Sequence, residues 1–413
     1  MKKQRTSHDP FMEERSFQNR FPDYTDEKEE EECLLEEDGK LNGVLTTRIN
    51  DVVEKLLKAL EDALRSSPEI AEDTSVYTGI TGISLLYLHL YEVYKKEDYL
   101  KRAKELIHQS LKKLRGRKST FLLGDGGQLA IAAVVYDKLG QKKKSREYVT
   151  RLKSMKESIL EDIPNELMNG RTGYLYALMF IRSYLGVEEI SDDIPDETAA
   201  LVLELGRKFA TKKGISSPLM YEWHSKLYLG ACHGLSGILT LLLQCPLKSV
   251  QTHMKDLIQP SVDYVQSLQF PSRNYPSSIG NDVDRLVHWC HGAPGIIHML
   301  ILAYKEFKEE KYLDSARRCS DVIWKYGLLK KGYGLCHGPA GNAYAFLALY
   351  QATNDQKQLY RACKFAEWCL DFGTHGCSVP SRPHSLFEGS AGTIYFLVDL
   401  LHPSKAKFPC LYI

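Results

Sequence analysis

The sequence predicts an all-α protein, an α/α toroid in which seven helical hairpins stand in two concentric layers. Three observations predict it. First, a Gly-Xxx-Xxx-Gly turn followed by an apolar run occurs at Gly79, Gly124, Gly170, Gly234, Gly292, Gly338 and Gly389, with first glycines 45, 46, 64, 58, 46 and 51 residues apart. Such a period marks a repeat architecture, which overrides the two or three domains that 413 residues would otherwise suggest. Second, the runs after the turns, such as GITGISLLYLHLY and GPAGNAYAFLALY, are apolar nearly all round, as buried helices are. Third, the segments between them carry charge on one side only. Pairs of one dry and one wet helix stack most economically as an inner and an outer ring.

The elements follow in order. RINDVVEKLLKALEDALRSS, ahead of the first turn, is read as the outer partner of the helix from Gly79. Amphipathic partners then alternate with the glycine-led helices: LKRAKELIHQSLKKL, REYVTRLKSMKESIL, TAALVLELGRKFA, MKDLIQPSVDYVQSL, YLDSARRCSDVIWKYGLL and YRACKFAEWCLDFG. A tight turn into a helix needs positive φ or close backbone approach, which glycine permits, and the free N–H groups of each following first turn are expected to face one mouth that favours anions. Residues 1–44 are read as an N-terminal arm and acidic segment, and 45–413 as one seven-repeat toroid domain. Within the former, MEERSFQNRFPDY is expected to pack on the toroid, and TDEKEEEECLLEEDGK to be solvated and mobile. PSRNYPSSIGNDVDR, from Pro271, is a long loop at the mouth, a candidate lid or substrate contact.

Composition excludes several classes. The chain is 43% hydrophobic and 26% charged, enough for a large core. A net charge of +1 with no concentrated basic stretch argues against a nucleic-acid binder. The N-terminus has no apolar signal region, Lys2 excludes a Met-Gly acylation start, and no window reaches the ~20 apolar residues of a membrane span. Ten cysteines in a chain of this character point to reduced thiols, metal ligands or small buried groups rather than a disulfide framework. The compartment implied is the cytoplasm, with nuclear access open.

Cys-His-Gly occurs three times, at Cys232, Cys290 and Cys336, each immediately ahead of an apolar run. Cys290 and Cys336 lie two residues before the first glycines of adjacent repeats, so a toroid brings them side by side at one rim. With a nitrogen from His337, or alternatively His291, they form a three-ligand zinc set that leaves the fourth position open, as catalytic zinc requires. Buried structural cysteines are the competing reading. His233 at the same rim suits a general acid or base, and Cys232 then packs. Glu166, four residues before Gly170, either assists at the rim or caps a helix.

VHWCHGAPG, KKGYGLCHGPAG, LGACHGLSG and SLFEGSAG, with the seven turns, resemble the eukaryotic LanC-like proteins, relatives of the bacterial lanthipeptide cyclases. The resemblance runs from MEERSFQNRFPDY to AKFP near the end. It implies Zn²⁺ on Cys290, Cys336 and His337, favouring His337 over His291. It implies glutathione as co-substrate, added to dehydroalanine or dehydrobutyrine residues that phosphate elimination leaves in proteins. His233 matches the acid that protonates the resulting enolate, and Glu166 aligns with an acidic position of the cyclases. Arg15 and Lys331 match cations that hold glutathione's carboxylates. At a third such position HGCSVPSRP has Ser378 where relatives carry Arg, with Arg382 as the candidate substitute. Loss of one charge-assisted contact costs ~1.5–3 kcal/mol. The alternatives are a glutathione-binding scaffold or signalling adaptor with a structural zinc, a prenyltransferase-like toroid with other ligands and repeat count, and a lanthipeptide cyclase proper. Peripheral membrane or signalling partners are left open by the sequence.

Overall fold

The chain is described from a computed structural model, which covers residues 10–25, 35–36, 39–116 and 118–413. Helix α1 (Pro10–Arg15) belongs to the arm. The ring begins with α2 (Gly43–Ser66) and α3 (Ile80–Tyr94) and continues through α4 (Glu97–Leu111), α5 (Asp125–Lys138), α6 (Lys142–Ser154) and α7 (Arg171–Leu185). It proceeds with α8 (Asp193–Lys213), α9 (Leu235–Leu242), α10 (Lys248–Thr252), α11 (Gln259–Ser267) and α12 (Ala293–Phe307), and ends with α13 (Glu310–Tyr326), α14 (Pro339–Thr353), α15 (Gln356–Leu370) and α16 (Ser390–Leu400). The glycine-led helices α3, α5, α7, α9, α12, α14 and α16 pack each on the next, and α16 returns to α3, closing an inner ring. Their residues are buried on nearly every face, whereas α4 and α13 bury one stripe each. This is the predicted toroid.

The pairing differs from expectation in one respect. Each inner helix packs on the outer helix that follows it, as α3 on α4, α5 on α6, α12 on α13 and α14 on α15. The last inner helix therefore has no following partner, and α2 covers it, packing on α16 and α15. The helix read as the partner of the first turn is thus the closure of the ring, joining the two ends of the sequence. One outer element is also broken: a π-helical turn at Met254–Ile258 separates α10 from α11. Pro260 explains it, since proline lacks the N–H that a continuous helix would donate.

Close approach, not positive φ, is why most of the turns need glycine. Among the seven first glycines only Gly292 has positive φ, at 113°. A Cβ on any second glycine, however, would stand 1.7–2.4 Å from the carbonyl oxygen six residues earlier, as for Gly82 on Val76 and Gly341 on Leu335. The first N–H of the inner helix bonds the carbonyl seven residues back in six repeats, for example Ile80 to Asp73 at 2.9 Å and Leu235 to Tyr228 at 3.0 Å. Those N–H groups are consumed within the turn, so the expectation that they face the mouth free is corrected. The exception is the repeat with positive φ, where Ala293 N–H donates to Asn274 Oδ1 at 2.8 Å.

The arm lies over the outer face. Phe17 N–H donates to Leu328 O at 2.7 Å, Lys330 N–H to Arg15 O at 3.0 Å, and Asn19 Nδ2 to Trp324 O at 2.8 Å. Asp23 receives two hydrogen bonds from the buried Arg361, at 3.1 and 2.8 Å. Residues 26–34 and 37–38 of the acidic run, with Cys33, lie outside the described residues. At the other end, Phe408 stacks on Trp289 with centroids 4.9 Å apart, and Tyr176 donates to Tyr412 O at 3.0 Å. The tail so fills the base of the ring, opposite the turns.

Candidate metal centre and reaction site

The repeat register builds the site. The residue two before each first glycine is, in order, Tyr77, Leu122, Met168, Cys232, Cys290, Cys336 and Phe387. These side chains meet around the mouth: Tyr77 stacks on Phe387 at 4.7 Å, and Cys232 lies against Met168. Cys290 and Cys336, from adjacent repeats, approach with His337 so that one ligating atom of each lies within 4.8 Å of the others. Cys336 and His337 are buried and Cys290 half-buried. Burial, then the adjoining Cys290, pushes the Cys336 thiol well up. A dry pair of neighbouring thiols resists ionisation unless a cation is shared between them. Two sulfurs and one imidazole are a donor set of the kind that zinc accepts.

His291 is not in this group. Its ring turns toward Tyr228, centroids 5.5 Å apart, and its Nδ1 is buried without a hydrogen-bond partner. Burial, then the charges of His233, Lys331 and Lys226, lowers its pKa to about 4, so it is neutral at pH 7. His233 stands next in the ring, 6.4 Å from His291 between centroids, with a partly exposed side chain. Its Nδ1 is 3.1 Å from Glu166 Oε2. Glu166, almost wholly buried, also accepts the N–H groups of Met168 at 2.7 Å and Asn169 at 2.6 Å. Its carboxylate thus ties the turn ahead of α7 and faces the His233 imidazole. Cys232 packs, and burial holds its thiol protonated.

The cations divide. Burial, then the charges of His337 and Lys331, lowers the basicity of His288, with a smaller contribution from Arg15, so both cations lie within electrostatic reach of that imidazole. Ser378 N–H donates to Lys330 O at 2.8 Å, which sets it beside Lys331. Arg382 lines a separate cavity of about 220 Å³ with Ser67, Glu69 and Thr78. The long loop before Cys290 is built into the rim: Leu229 N–H donates to Ser277 O at 3.1 Å and Ile279 N–H to Leu227 O at 2.9 Å.

Three site residues escaped the sequence reading. His288, buried, has Nδ1 4.0 Å from Cys290 Sγ. Tyr77 presents its hydroxyl to the Cys336 thiol; burial, then the nearby thiols, raises its pKa well above the phenolic value. Tyr228 lies between His233 and His291, 6.0 and 5.5 Å from them. The signal was the register: Tyr77 shares the position of Cys290 and Cys336, and His288 that of Glu166.

Comparison with known proteins gives the fold and the family. The solved structure of a nisin cyclase superposes with a TM-score of 0.68 at 15% identity, covering 86% of this chain and 96% of that one, which establishes the shared α/α toroid. A curated zebrafish (Danio rerio) protein named glutathione S-transferase LANCL1 is 48% identical over 403 residues, 96% of this chain and 99% of that protein. The family described as lanthionine synthetase C-like protein matches residues 71–413. With its seven glycine turns, its ring of paired helices and its Cys–Cys–His mouth, the chain belongs to the lanthionine synthetase C-like family.

Proposed function

We propose that the chain is a zinc-dependent glutathione transferase that adds glutathione to dehydroalanine and dehydrobutyrine residues of proteins. Its relative's printed name, at 48% identity over nearly the full length, supports a C–S bond-forming transferase of the glutathione S-transferase type. The observation that carries the finer reading is the convergence of Cys290, Cys336 and His337 within 4.8 Å, with His233 and its Glu166 partner in the same ring of turns. Zinc bound there would hold a thiol as thiolate at neutral pH, where a free thiol is only a few per cent ionised.

The residues supply the rest. Arg15 and Lys331 present positive charge for glutathione's carboxylates, and Tyr77, Phe387 and Trp289 give the mouth an aromatic floor. Because Glu166 faces His233 Nδ1, Nε2 is left for the reaction. Sulfur bonds to Cβ, the double-bond pair moves to Cα as an enolate, and the proton given up by the thiol is delivered to Cα from His233 Nε2. Glu166 stabilises the imidazolium between those events. Nothing in the arrangement selects a lipid or signalling partner, and no helix among the described residues is long and apolar enough to cross a membrane.

The test combines metal content with transfer. Wild-type protein is expected to hold about one zinc per chain and to glutathionylate a dehydroalanine peptide; Cys336→Ala should lose both. His233→Ala should keep the metal and lose 10²–10⁴-fold in rate. Equal zinc in wild type and Cys336→Ala, or a rate indifferent to His233, would instead support the glutathione-binding scaffold.

A further inference from the structure

A second groove lies behind the Tyr228 segment, and neither Arg15 nor Lys331 is in its lining. Its volume is about 680 Å³, and Lys213, Lys226, Arg285 and Glu222 are the charged residues in its lining, with Ser277 and Asn281 among the polar ones. Three cations thus face one carboxylate, and Glu222 is only 4.0 Å from Lys213, leaving the other two cations uncompensated. Lys226 and Arg285 are exposed, and neither has an ion-pair partner among the described residues.

Groove and mouth share a wall. The segment Leu227–Leu229 pairs with Ser277–Ile279. Lys226 and Leu227 line the groove, while Tyr228 reaches His291 and His233. Lys226 is held firmly. It exchanges both backbone hydrogen bonds with Trp223, at 3.0 Å each, across a two-residue turn whose central residues, His224 and Ser225, have φ of 48° and 58°. A hairpin turn of that kind ordinarily carries Asn-Gly. Two residues with side chains in the left-handed region tie Lys226 to one place at some conformational cost.

We infer that this groove is the acceptor subsite, and that it takes the peptide flanking the reacting residue when that peptide carries anionic side chains. The inference rests on the mouth being the transfer site. An acceptor that is part of a protein must carry its chain out of the mouth, and the groove behind Tyr228 offers it a polar trough lined by Lys226 and Arg285. That positive charge is complementary to Asp, Glu or phosphoserine near the dehydrated position. Charge complementarity of this sort selects among acceptors and falls with salt.

The experiment is a binding measurement, independent of turnover. Three fluorescent decapeptides with a central dehydroalanine, flanked by Glu, by phosphoserine or by Ser and Gln only, are titrated against the full chain by anisotropy at low and at 0.3 M salt. The anionic peptides are expected to bind roughly tenfold more tightly than the uncharged one at low salt. Lys226→Gln with Arg285→Gln should reduce that ratio to about one, and Lys226→Arg with Arg285→Lys should restore it. Phosphoserine and Glu arms separate phosphate from carboxylate recognition. Equal affinity for all three peptides, or a ratio unmoved by the double Gln variant with its helical circular dichroism intact, overturns the subsite. Failure of glutathione addition with the ratio preserved would instead sink the transferase reading and leave the groove as an anionic-peptide site.

Discussion

Asn274 does at one position what backbone does at the other turns. Its Oδ1 takes the Ala293 N–H at 2.8 Å, and its Nδ2 donates to the buried Asp284 Oδ1 at 2.8 Å and to the half-buried Leu286 O at 3.0 Å. Gly292, freed from the common turn, takes φ of 113°, and Cys290 is presented two residues before it. Replacing Asn274 by Leu strips partners from two buried polar groups, Ala293 N–H and Asp284 Oδ1, at about 1–3 kcal/mol each when water cannot reach them. We expect a lower Tm and a 10–100-fold weaker zinc affinity in chelator competition, the usual scale for a group supporting a metal ligand. Unchanged zinc affinity would mean that the thiol positions do not depend on this loop. Such an anchor was not legible from the sequence, because it acts across 19 residues of loop on a turn whose letters look like the rest. Cys290 and Cys336 were legible as neighbours because identical letters recur at one register, but spacing left His337 and His291 open and only the family resemblance favoured His337; Tyr77 occupies the cysteine register with a different letter and was passed over.

At the scale of elements, the inner helices were readable from periodicity and glycine spacing alone, since a helix apolar on all faces has one place to go. The pairing of α2 with α16 was not, because nothing in α2 distinguishes the neighbour before it in the ring from the one after it. The arm is the other element whose attachment depends on a few side chains. Asp23 sits between Arg361 and Lys357, at 2.8 and 3.2 Å. Burial alone would raise its pKa, but the hydrogen bond and charge of Arg361 outweigh that and lower it to about 2. A carboxyl depressed in the folded state stabilises above its ordinary pKa of 3.8, and the contribution fades as pH falls from there toward 2. Asp23→Asn should therefore loosen the arm at pH 7, seen as faster proteolysis near Phe17–Tyr24 and faster amide exchange at Phe17. It should approach wild type in the same assays only as pH falls to about 2. A difference that persisted in acid would show that shape rather than charge docks the arm.

For the whole molecule, the ring is closed twice: laterally by α2 against α16, and at its base by the tail. Trp289, next in sequence to a zinc-ligand candidate, rests on Phe408, whose ring also meets Tyr344 edge-on with centroids 5.3 Å apart. His298 of α12 reaches the same tail, its Nδ1 2.9 Å from the Tyr412 hydroxyl. That imidazole is wholly enclosed, and burial alone lowers its pKa from 6.5 to about 3. It is neutral in the folded chain throughout the range in which the unfolded chain takes up a proton. Its contribution to stability is complete above pH 6.5 and is withdrawn as pH falls from 6.5 toward 3, at about 1.4 kcal/mol per pH unit for one proton. His298→Phe keeps the aromatic packing against Phe408 and Tyr412 but cannot be protonated. Urea midpoints measured between pH 7.5 and 4.5 should then fall more steeply for wild type than for the variant below pH 6.5, with parallel curves above it. Parallel curves throughout would mean that the base opens before His298 is protonated. The tail would then be a loose cover, and the mouth at the glycine turns would not be the only way into the ring.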